Sequence, residues 1–460
     1  MTLAMVLGAI HGAAAHVAST PGAWPKAKLA ARLTYVFVKE ILGMALALPS
    51  VSRSLFLHSS LPSHPKEIQP LTVNARRKPM RLLRAHLQWV GSFNVSVARN
   101  IPYGTAKRNL LDVYVPDAVA SDGELQRWPA VVFVHGGAWA TGSKELFSHL
   151  GACLAHSGVL TVLVQYTLFP EVLAWQQVRE ISLTLTWLLD NVQDYGGDPQ
   201  RVTLMGHSAG AHLCALVIWE RFKAAQQLQQ RRVAAEARSL ALDFRLEIDE
   251  EDDLDEQDTR QPHNFIGMAG VYDIVEHLKF ERKRGVDTMS SMTPAMGGKH
   301  LLEAMSPVHL FQSVGSGMSM VNTENNHGFI NASIDEAVLD KMNHLAAIDA
   351  GLCAAIIADG NSSEIRHKSS NNEGADLCVR SGGGVCQSHL PSCTLMCSWN
   401  DMVVRPDTSI SFHAVLQEEL GHQSQLILFN DLAHSDFVNL DGRAPEQALL
   451  RRHILRMLEP

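Results

Sequence analysis

Short apolar runs recur along the chain from about Leu110 onward, and helical periodicities fill the gaps between them. Leu111 to Val115 reads LDVYV and Ala130 to Val134 reads AVVFV. LTVLVQY starts at Leu160, VTLM at Val202 and NFIGMAG at Asn264. Two further runs follow late in the chain, CTLMCS from Cys393 and SQLILF from Ser424. Continuous apolar runs of this length, rich in β-branched residues, are the pattern of strands buried on both faces. The segments between them predict helices, among them Ser409 to Leu420 and a terminal helix around RRHILRML. Strands alternating with helices predict an α/β fold: a mostly parallel, twisted sheet covered by helices on both faces.

This rhythm organises residues 97–460 into one domain with two departures from the pattern. Ala224 to Pro262 is rich in Gln and Arg, then strongly acidic (EIDEEDDLDEQD from Glu247), and has too little apolar content to build a core. It is expected to be an acidic, disordered insertion over 224–262. Gln312 to Leu390 is rich in Ser, Gly and Asn around one helix-like patch, Ile334 to Ala355, and is expected to be a surface insertion over 312–390. Residues 1–96 form a separate apolar and basic region. Leu33 to Leu48 is apolar but interrupted by Lys39 and Glu40, short of the roughly 20 residues that span a bilayer. Arg76 to Arg84 (RRKPMRLLR) adds a basic cluster, and an apolar helix beside such a cluster suits an anionic membrane face. A solvated amphipathic helix or a transit-like leader fits the same residues.

Bulk properties narrow the chemistry. The net charge of −8 gives no electrostatic reason to bind nucleic acid. Seven cysteines, an odd number, make no disulfide framework. Cys153 and Cys214 fall in apolar helical patterns as buried thiols, and Cys393 and Cys397 lie in a strand without zinc-ligand spacing. No metal and no cofactor are expected. The glycosylation tripeptides at Asn94, Asn331 and Asn361 are of a kind that chance supplies freely.

The chemistry-bearing segment is VTLMGHSAGAHLCALVIWERF from Val202. Its Gly206-His207-Ser208-Ala209-Gly210 pentapeptide sits between a strand pattern and a helix pattern. That context describes a nucleophile elbow, a sharp turn holding a serine hydroxyl above the sheet. About seventy residues upstream, the AVVFV run leads directly into His135-Gly136-Gly137-Ala138-Trp139. Glycines there let a loop turn its amides inward, and fixed N–H donors stabilise the negative charge that acyl transfer builds on oxygen. Gly137, Ala138 and Ala209 are the expected donors, with Gly136 and His207 beside them on the oxyanion and substrate side. Without Ser208 the same residues would read as a Gly-rich strand–helix connection.

A base and an acid should follow the serine in the order Ser…Asp/Glu…His. CTLMCSWNDMVVRP from Cys393 is a strand followed by a loop carrying Asp401. SQLILFNDLAHSDFV from Ser424 is a strand followed by a loop carrying His434. Ser208 is therefore expected as nucleophile, His434 as general base and Asp401 as its orienting acid. Asp407, Asp431 and Asp436 are rivals for the acid and His453 for the base.

With these motifs in place the chain resembles the α/β-hydrolase esterases that carry an HGGxW oxyanion motif. Among them it is most similar to the plant isoprenylcysteine (prenylcysteine) α-carboxyl methylesterases. The matching stretches are IPYGTAKRNLLDVYVP from Ile101, VVFVHGGAWATGSKE from Val131, DNVQDYGGDPQRVTLMGHSAGAH from Asp190, GVYDIVEH from Gly270 and MSPVHL from Met305, with the Asp401 and His434 loops. The resemblance implies an α/β-hydrolase fold and a cofactor-free serine carboxylesterase. Its implied substrate is the methyl ester of a prenylated cysteine, free or in a peptide. It further implies association with endoplasmic reticulum and Golgi membranes, a cytoplasmic enzyme being the alternative. Three positions depart from the family: His207 where Gln is common, Tyr166-Thr167 where Tyr-Arg is common, and an acid loop, Asp401-Met-Val-Val-Arg-Pro, longer by one residue. These leave a kynurenine formamidase-like enzyme or a general short-chain carboxylesterase open. A pseudo-hydrolase serving as an interaction module would be expected to lack a catalytic residue, and none is missing.

Overall fold

In the computed structural model, eight strands form one sheet in the order β1-β2-β4-β3-β5-β6-β7-β8. They are β1 (Val95–Pro102), β2 (Leu110–Pro116), β3 (Trp128–Val134), β4 (Leu160–Gln165), β5 (Gly197–His207), β6 (Asn264–Met268), β7 (Ser392–Ser398) and β8 (Ser424–Phe429). The structure describes residues 95–116, 127–241, 258–315, 390–440 and 444–458, with a few isolated positions between 22 and 31. Strands β3 to β8 pair in parallel; β2 runs antiparallel to both β1 and β4.

Strands β3, β4, β6, β7 and the second half of β5 are continuous apolar runs whose side chains are almost wholly buried, as a sheet covered on both faces requires, while β8 at the sheet edge is partly exposed. The first strand is an addition to the sequence reading, which starts the alternation near Leu110. β1 is an edge strand, and its apolar positions thin out after Ala98. A register shift between Ala98 and Ile101 coincides with left-handed Asn100. The bulge serves a buried cluster: Lys144 Nζ donates to Asn100 Oδ1 and Asp112 Oδ1, both at 2.8 Å, and the Asn100 N–H also donates to Asp112 at 2.8 Å. A buried ammonium and carboxylate are tolerated because each finds the other and further polar partners.

Among the described residues, the α-helices longer than a single turn are α1 (Ser148–His156), α2 (Ala174–Asn191), α3 (Ala209–Ala241), α4 (Ile274–Arg284), α5 (Pro307–Gly315), α6 (Asp407–Ala414) and α7 (Pro445–Leu458). α6 continues into a wider π turn, Val415–Glu419, so the helix expected from Ser409 to Leu420 is present with an irregular second half. Cys153, Cys214, Cys393 and Cys397 are buried free thiols.

The acidic insertion expected over 224–262 is corrected at both ends. Residues 224–241 continue α3; Ala225 is still buried, and residues 229–233 of the same helix are exposed. At the far end, Asp258 to Gln261 pack back onto the body. Arg221 is fully buried on α3, where it bonds Ser182 Oγ, Ser182 O, Thr186 Oγ1 and Arg260 O, with Asp258 Oδ2 at 3.6 Å. Asp258 Oδ2 in turn accepts from Thr186 Oγ1 at 2.7 Å, and Gln261 Nε2 donates to Ile218 O. A buried guanidinium needs these partners, and they tie Asp258 to Gln261 to α2 and α3. Residues 242–257, nearly all of the Ser/Gly/Asn-rich insertion, and the Leu33–Leu48 and Arg76–Arg84 segments lie outside the described residues. Among the described residues no helix is long and apolar enough to cross a membrane.

Strand order positions the chemistry. From β3 the chain steps to β4 on one side and later to β5 on the other, so the sheet reverses direction between β3 and β5. In open α/β sheets, ligands bind in the crevice at such a switch point, outside the carboxyl ends of the strands. The HGG loop follows β3 and Ser208 follows β5, side by side at that crevice.

Candidate active site

Ser208 stands between the last residue of β5 and the first of α3, with φ of 56°. A non-glycine residue in this left-handed region is held there only when its surroundings over-determine it, at a cost of order 1–3 kcal/mol. Here the Ser208 N–H donates to Met268 O at 2.9 Å, and its carbonyl accepts from Ala211 and His212, starting α3. Gly210 makes the turn feasible: a Cβ there would lie 2.2 Å from Val134 O, so only glycine lets α3 start this close to β3.

The HGG loop is pressed against the same turn. A Cβ on Gly136 would lie 2.8 Å from both His207 O and Ser208 Cβ. Ala138 and Trp139 adopt left-handed φ values of 51° and 61°. Among the described residues the N–H groups of Gly137 and Ala138 donate to no protein acceptor. Ala209, at the first position of α3, has an N–H with no acceptor inside the helix. All three expected oxyanion donors are therefore available beside Ser208, and the positive end of α3 adds to their effect.

A set of buried side chains fixes that loop. Trp139 Nε1 donates to His212 Nδ1 at 3.1 Å, and His212 Nε2 donates to Met305 O at 2.7 Å. This pattern requires neutral His212, and burial pushes its pKa down to about 4. Gln177 Nε2 donates to Trp139 O at 2.8 Å, and Tyr166 OH donates to His135 O at 2.8 Å. The His135 ring stacks between Phe147 and Tyr166 and donates from Nδ1 to Gly136 O; burial lowers its pKa to about 4. The sequence reading did not single out His212 or Gln177. The available signal is a polar side chain on an apolar helix stripe, as Gln177 is beside Ala174, Val178 and Ile181.

At the C-terminal ends of β7 and β8, Asp401 and His434 come together. His434 Nδ1 donates to Asp401 Oδ2 at 2.7 Å. Asp401 Oδ1 accepts from the N–H groups of Val403 and Val404 at 2.8 and 2.9 Å. Burial alone would raise the Asp401 pKa. The His434 charge and the hydrogen bonds from His434, Val404 and Val403 outweigh it and hold the carboxyl below its usual range. With Nδ1 committed to Asp401, Nε2 is the nitrogen left to serve Ser208. Among the described residues no hydrogen bond joins Ser208 to His434. Serine–histidine contacts commonly tighten only when substrate binds.

The rivals fall elsewhere. Asp407 is half exposed and pairs with Arg405. Asp431 is exposed, and Asp436 caps the His434 turn by accepting from the Ala433 N–H at 2.8 Å. His453 lies on α7 with its ring edge-on to Phe429. The extra residue in the acid loop has not moved the carboxylate away from His434.

His207, expected on the oxyanion and substrate side, sits differently. Its Nε2 bonds His434 O at 2.9 Å and its ring lies 4.7 Å from the His434 ring. Its Nδ1 faces Gly136. It therefore links the histidine loop to the elbow. Burial, then the nearby His434, push its pKa down to about 3, so the ring is neutral. A recess of about 330 Å³ lined by Asp273, Val308, His309 and Glu418, among others, includes none of these groups.

Known proteins resemble the chain in sequence and in fold. Residues 111–336 match the BD-FAE family model. A probable isoprenylcysteine alpha-carbonyl methylesterase of Oryza sativa subsp. japonica is 29% identical over 216 residues, 47% of this chain and 44% of the relative. A kynurenine formamidase of Salmo salar is 32% identical over 133 residues, 28% of this chain and 42% of the relative. The chain thus spans less than half the length of these relatives. The crystal structure of esterase B from Lactobacillus rhamnosis superposes with a TM-score of 0.50 at 16% identity, covering 93% of this chain and 96% of that one. The chain has the α/β-hydrolase fold, matches the BD-FAE family over its central half, and is similar in sequence to the isoprenylcysteine methylesterases.

Proposed function

We propose that the protein is a serine carboxylesterase working through Ser208, His434 and Asp401. The observation that carries this reading is the 2.7 Å His434–Asp401 hydrogen bond, formed at the sheet edge where the Ser208 elbow meets the HGG loop. Ser208 Oγ attacks the ester carbonyl as His434 Nε2 takes its proton. Asp401 holds the tautomer with Nδ1 protonated and stabilises the imidazolium. The N–H groups of Gly137, Ala138 and Ala209 receive the oxyanion. His434 then protonates the leaving alkoxide, an acyl-enzyme forms, and water activated by His434 releases the acid.

The finer reading is hydrolysis of a prenylcysteine methyl ester, with methanol as leaving group. It is supported by the methylesterase relatives. The formamidase relatives favour a second reading, cleavage of an N-formyl amide by the same residues. Membrane association through Leu33–Leu48 and Arg76–Arg84 would suit a lipid-partitioned substrate, since a short apolar anchor plus a basic patch is a two-signal arrangement. Placement at the endoplasmic reticulum and Golgi rests on the family resemblance alone.

Farnesylcysteine methyl ester, N-formylkynurenine and a reactive aryl ester, offered to the same preparation, test these readings together. Ser208→Ala should abolish turnover of every substrate the wild type accepts, and labelling by a fluorophosphonate. Retention of more than a few per cent of aryl-ester turnover would remove Ser208 from the mechanism. Preference for N-formylkynurenine would replace the methylesterase reading while leaving the serine hydrolase intact.

A further inference from the structure

The oxyanion loop reverses through two residues held in an unfavourable backbone conformation. Gly137 O accepts from the Ala140 N–H at 3.1 Å and from the Thr141 N–H at 2.9 Å, and the two residues enclosed, Ala138 and Trp139, both have positive φ. A four-residue turn with positive φ at both central positions is type I′, a form dominated by Gly, Asn and Asp. An alanine and a tryptophan stay there only when their surroundings over-determine them.

Those surroundings are a set of ties to the loop carbonyls. Gly137 O has a third donor, Thr141 Oγ1 at 2.9 Å. Trp139 O accepts from Gln177 Nε2 at 2.8 Å and from the Phe169 N–H at 3.0 Å. Ala138 is exposed at the top of the turn, and among the described residues its carbonyl has one donor, Ser291 Oγ at 2.6 Å. Ser291 follows α4 and stands at the N-cap position of a short helical turn, Met292–Ala295. A serine hydroxyl in that position ordinarily accepts from the turn's own N–H groups, and this one does not. Ser290 Oγ accepts from the Met292 N–H instead, at 3.2 Å, and is anchored by donating to Glu281 Oε1 at 2.7 Å. The Ser291 hydroxyl is thereby committed to the oxyanion loop and not to its own helix.

What that bond controls follows from the planarity of the peptide unit. The C=O and N–H of a trans peptide point in opposite directions, so fixing Ala138 O on Ser291 aims the Trp139 N–H to the far side. A type I′ turn is the mirror image of a first helical turn, and its two central N–H groups lie side by side in a concavity suited to an anion. The Ala138 N–H is one of the expected oxyanion donors, and the Trp139 N–H lies next to it. Trp139 is buried, and among the described residues its N–H donates to no protein acceptor. Buried N–H groups are nearly always paired, so this one points to an acceptor that arrives with the substrate. Turning the 138–139 peptide over would convert type I′ to type II′. Trp139 would leave the positive-φ region and its N–H would swing away, while both side chains stayed in place. The Ser291 bond opposes that rotation.

We propose that Ser291 is a positioning residue for the oxyanion site: through Ala138 O it holds the Trp139 N–H as a further dipole facing the developing charge, beside the N–H groups of Gly137, Ala138 and Ala209. The inference rests on the serine esterase reading and adds to it a residue outside the HGG loop and the elbow.

Kinetics on one reactive aryl ester compare wild type with Ser291→Ala, Ser291→Thr and Ser291→Val. Threonine keeps the hydroxyl, and valine has the same shape without it. The alanine and valine variants should lose about tenfold in kcat, less than the 10²–10³-fold of a lost direct donor, with KM within about twofold of wild type. The threonine variant should stay within about threefold. A trifluoromethyl ketone supplies a readout that packing alone does not move. Its carbonyl carbon bonds Ser208 Oγ, its oxygen takes the negative charge and the proton passes to His434. It should bind the alanine variant about tenfold more weakly while KM holds. Tm of that variant should stay within about 2 °C of wild type, as for other surface substitutions. An alanine-variant kcat within twofold of wild type would overturn the assignment. So would equal kcat in the threonine and valine variants, or a loss that falls on KM together with a lowered Tm. If wild type labels with a fluorophosphonate and hydrolyses esters in those cases, only the role of Ser291 falls. If wild type does neither, the esterase reading falls and takes this inference with it.

Discussion

His207 Nε2 donates to the backbone carbonyl of His434 at 2.9 Å, joining residues 227 positions apart. The direction of the bond is fixed because a carbonyl can only accept. The residue before the proposed nucleophile therefore holds the loop carrying the proposed base. The neutral ring that this bond needs is secured by burial, which lowers the His207 pKa to about 3.

From this bond, His207→Leu should lower kcat on a reactive aryl ester by roughly 10- to 100-fold, in line with the cost of misplacing a positioned group by about 1 Å. His207→Gln keeps a side-chain N–H donor and should recover most of the loss. Fluorophosphonate labelling of Ser208 should slow in the leucine variant. Equal kcat in wild type and leucine variant would show that the histidine loop holds itself.

Asp401→Asn should lower kcat strongly, by a factor on the order of 10⁴, because the imidazole would be held in the wrong tautomer. Asp407→Asn should leave kcat within a few-fold of wild type, since Asp407 is half exposed and pairs with Arg405 rather than His434. Steady-state kinetics on one ester compares the two. A larger loss at Asp407 would mean that the acid loop adopts a different register in the working enzyme.

How far the sequence alone reached can be judged from such positions. Ser208, Asp401, His434 and the HGG loop were legible because each sits directly after a strand whose apolar run marks it, so local pattern and chemistry coincide. The role of His207 was not legible, because it depends on the approach of a loop 227 residues away. β1 was missed because an edge strand needs only one well-paired side, and its apolar alternation fails at the Asn100 bulge. The end of the acidic stretch was misread for a related reason. Asp258 looks like one more solvated charge until Arg221, 37 positions earlier, is seen to be buried against it.

That ion pair ties the far end of the acidic 224–262 stretch to the body of the domain. Deleting residues 224–261 removes Asp258, Arg260 and Gln261 and leaves Arg221 buried beside only Ser182 and Thr186. Stranding a buried charge costs about 3–5 kcal/mol. The full deletion should lower Tm by several degrees or abolish soluble expression. Deleting only residues 242–257, with a short Gly-Ser bridge, should leave Tm within about 2 °C of wild type. Thermal melts of the two proteins distinguish the cases, and equal melts would show that Asp258 contributes nothing to holding Arg221.

Acid stability follows from the buried rings. His135, His207, His212 and His277 have pKa values lowered from 6.5 to about 4, 3, 4 and 4, mainly by burial. A histidine depressed in the folded state is neutral in both states above 6.5. Below that the unfolded chain takes up the proton first, so stability is lost as pH falls from 6.5 toward the folded value. Glu220 and Glu281, raised from 4.5 to about 7, work the other way: the folded state holds their protons, and acidification from 7 to 4.5 stabilises it. Four histidines against two carboxyls leave a net loss on acidification. Each uncompensated histidine contributes at most about 1.4 kcal/mol per pH unit in this window. Urea titrations at pH 7.5, 6.5, 5.5 and 5.0 should therefore give a midpoint that is flat or slightly rising from 7.5 to 6.5 and falls below it. Replacing His135, the ring stacked between Phe147 and Tyr166, by Phe should shallow that fall. A midpoint unchanged between pH 6.5 and 5.0 would mean that these rings are charged in the folded protein. The neutral-ring hydrogen bonds on which the oxyanion loop and the His434 loop depend would then have to be redrawn.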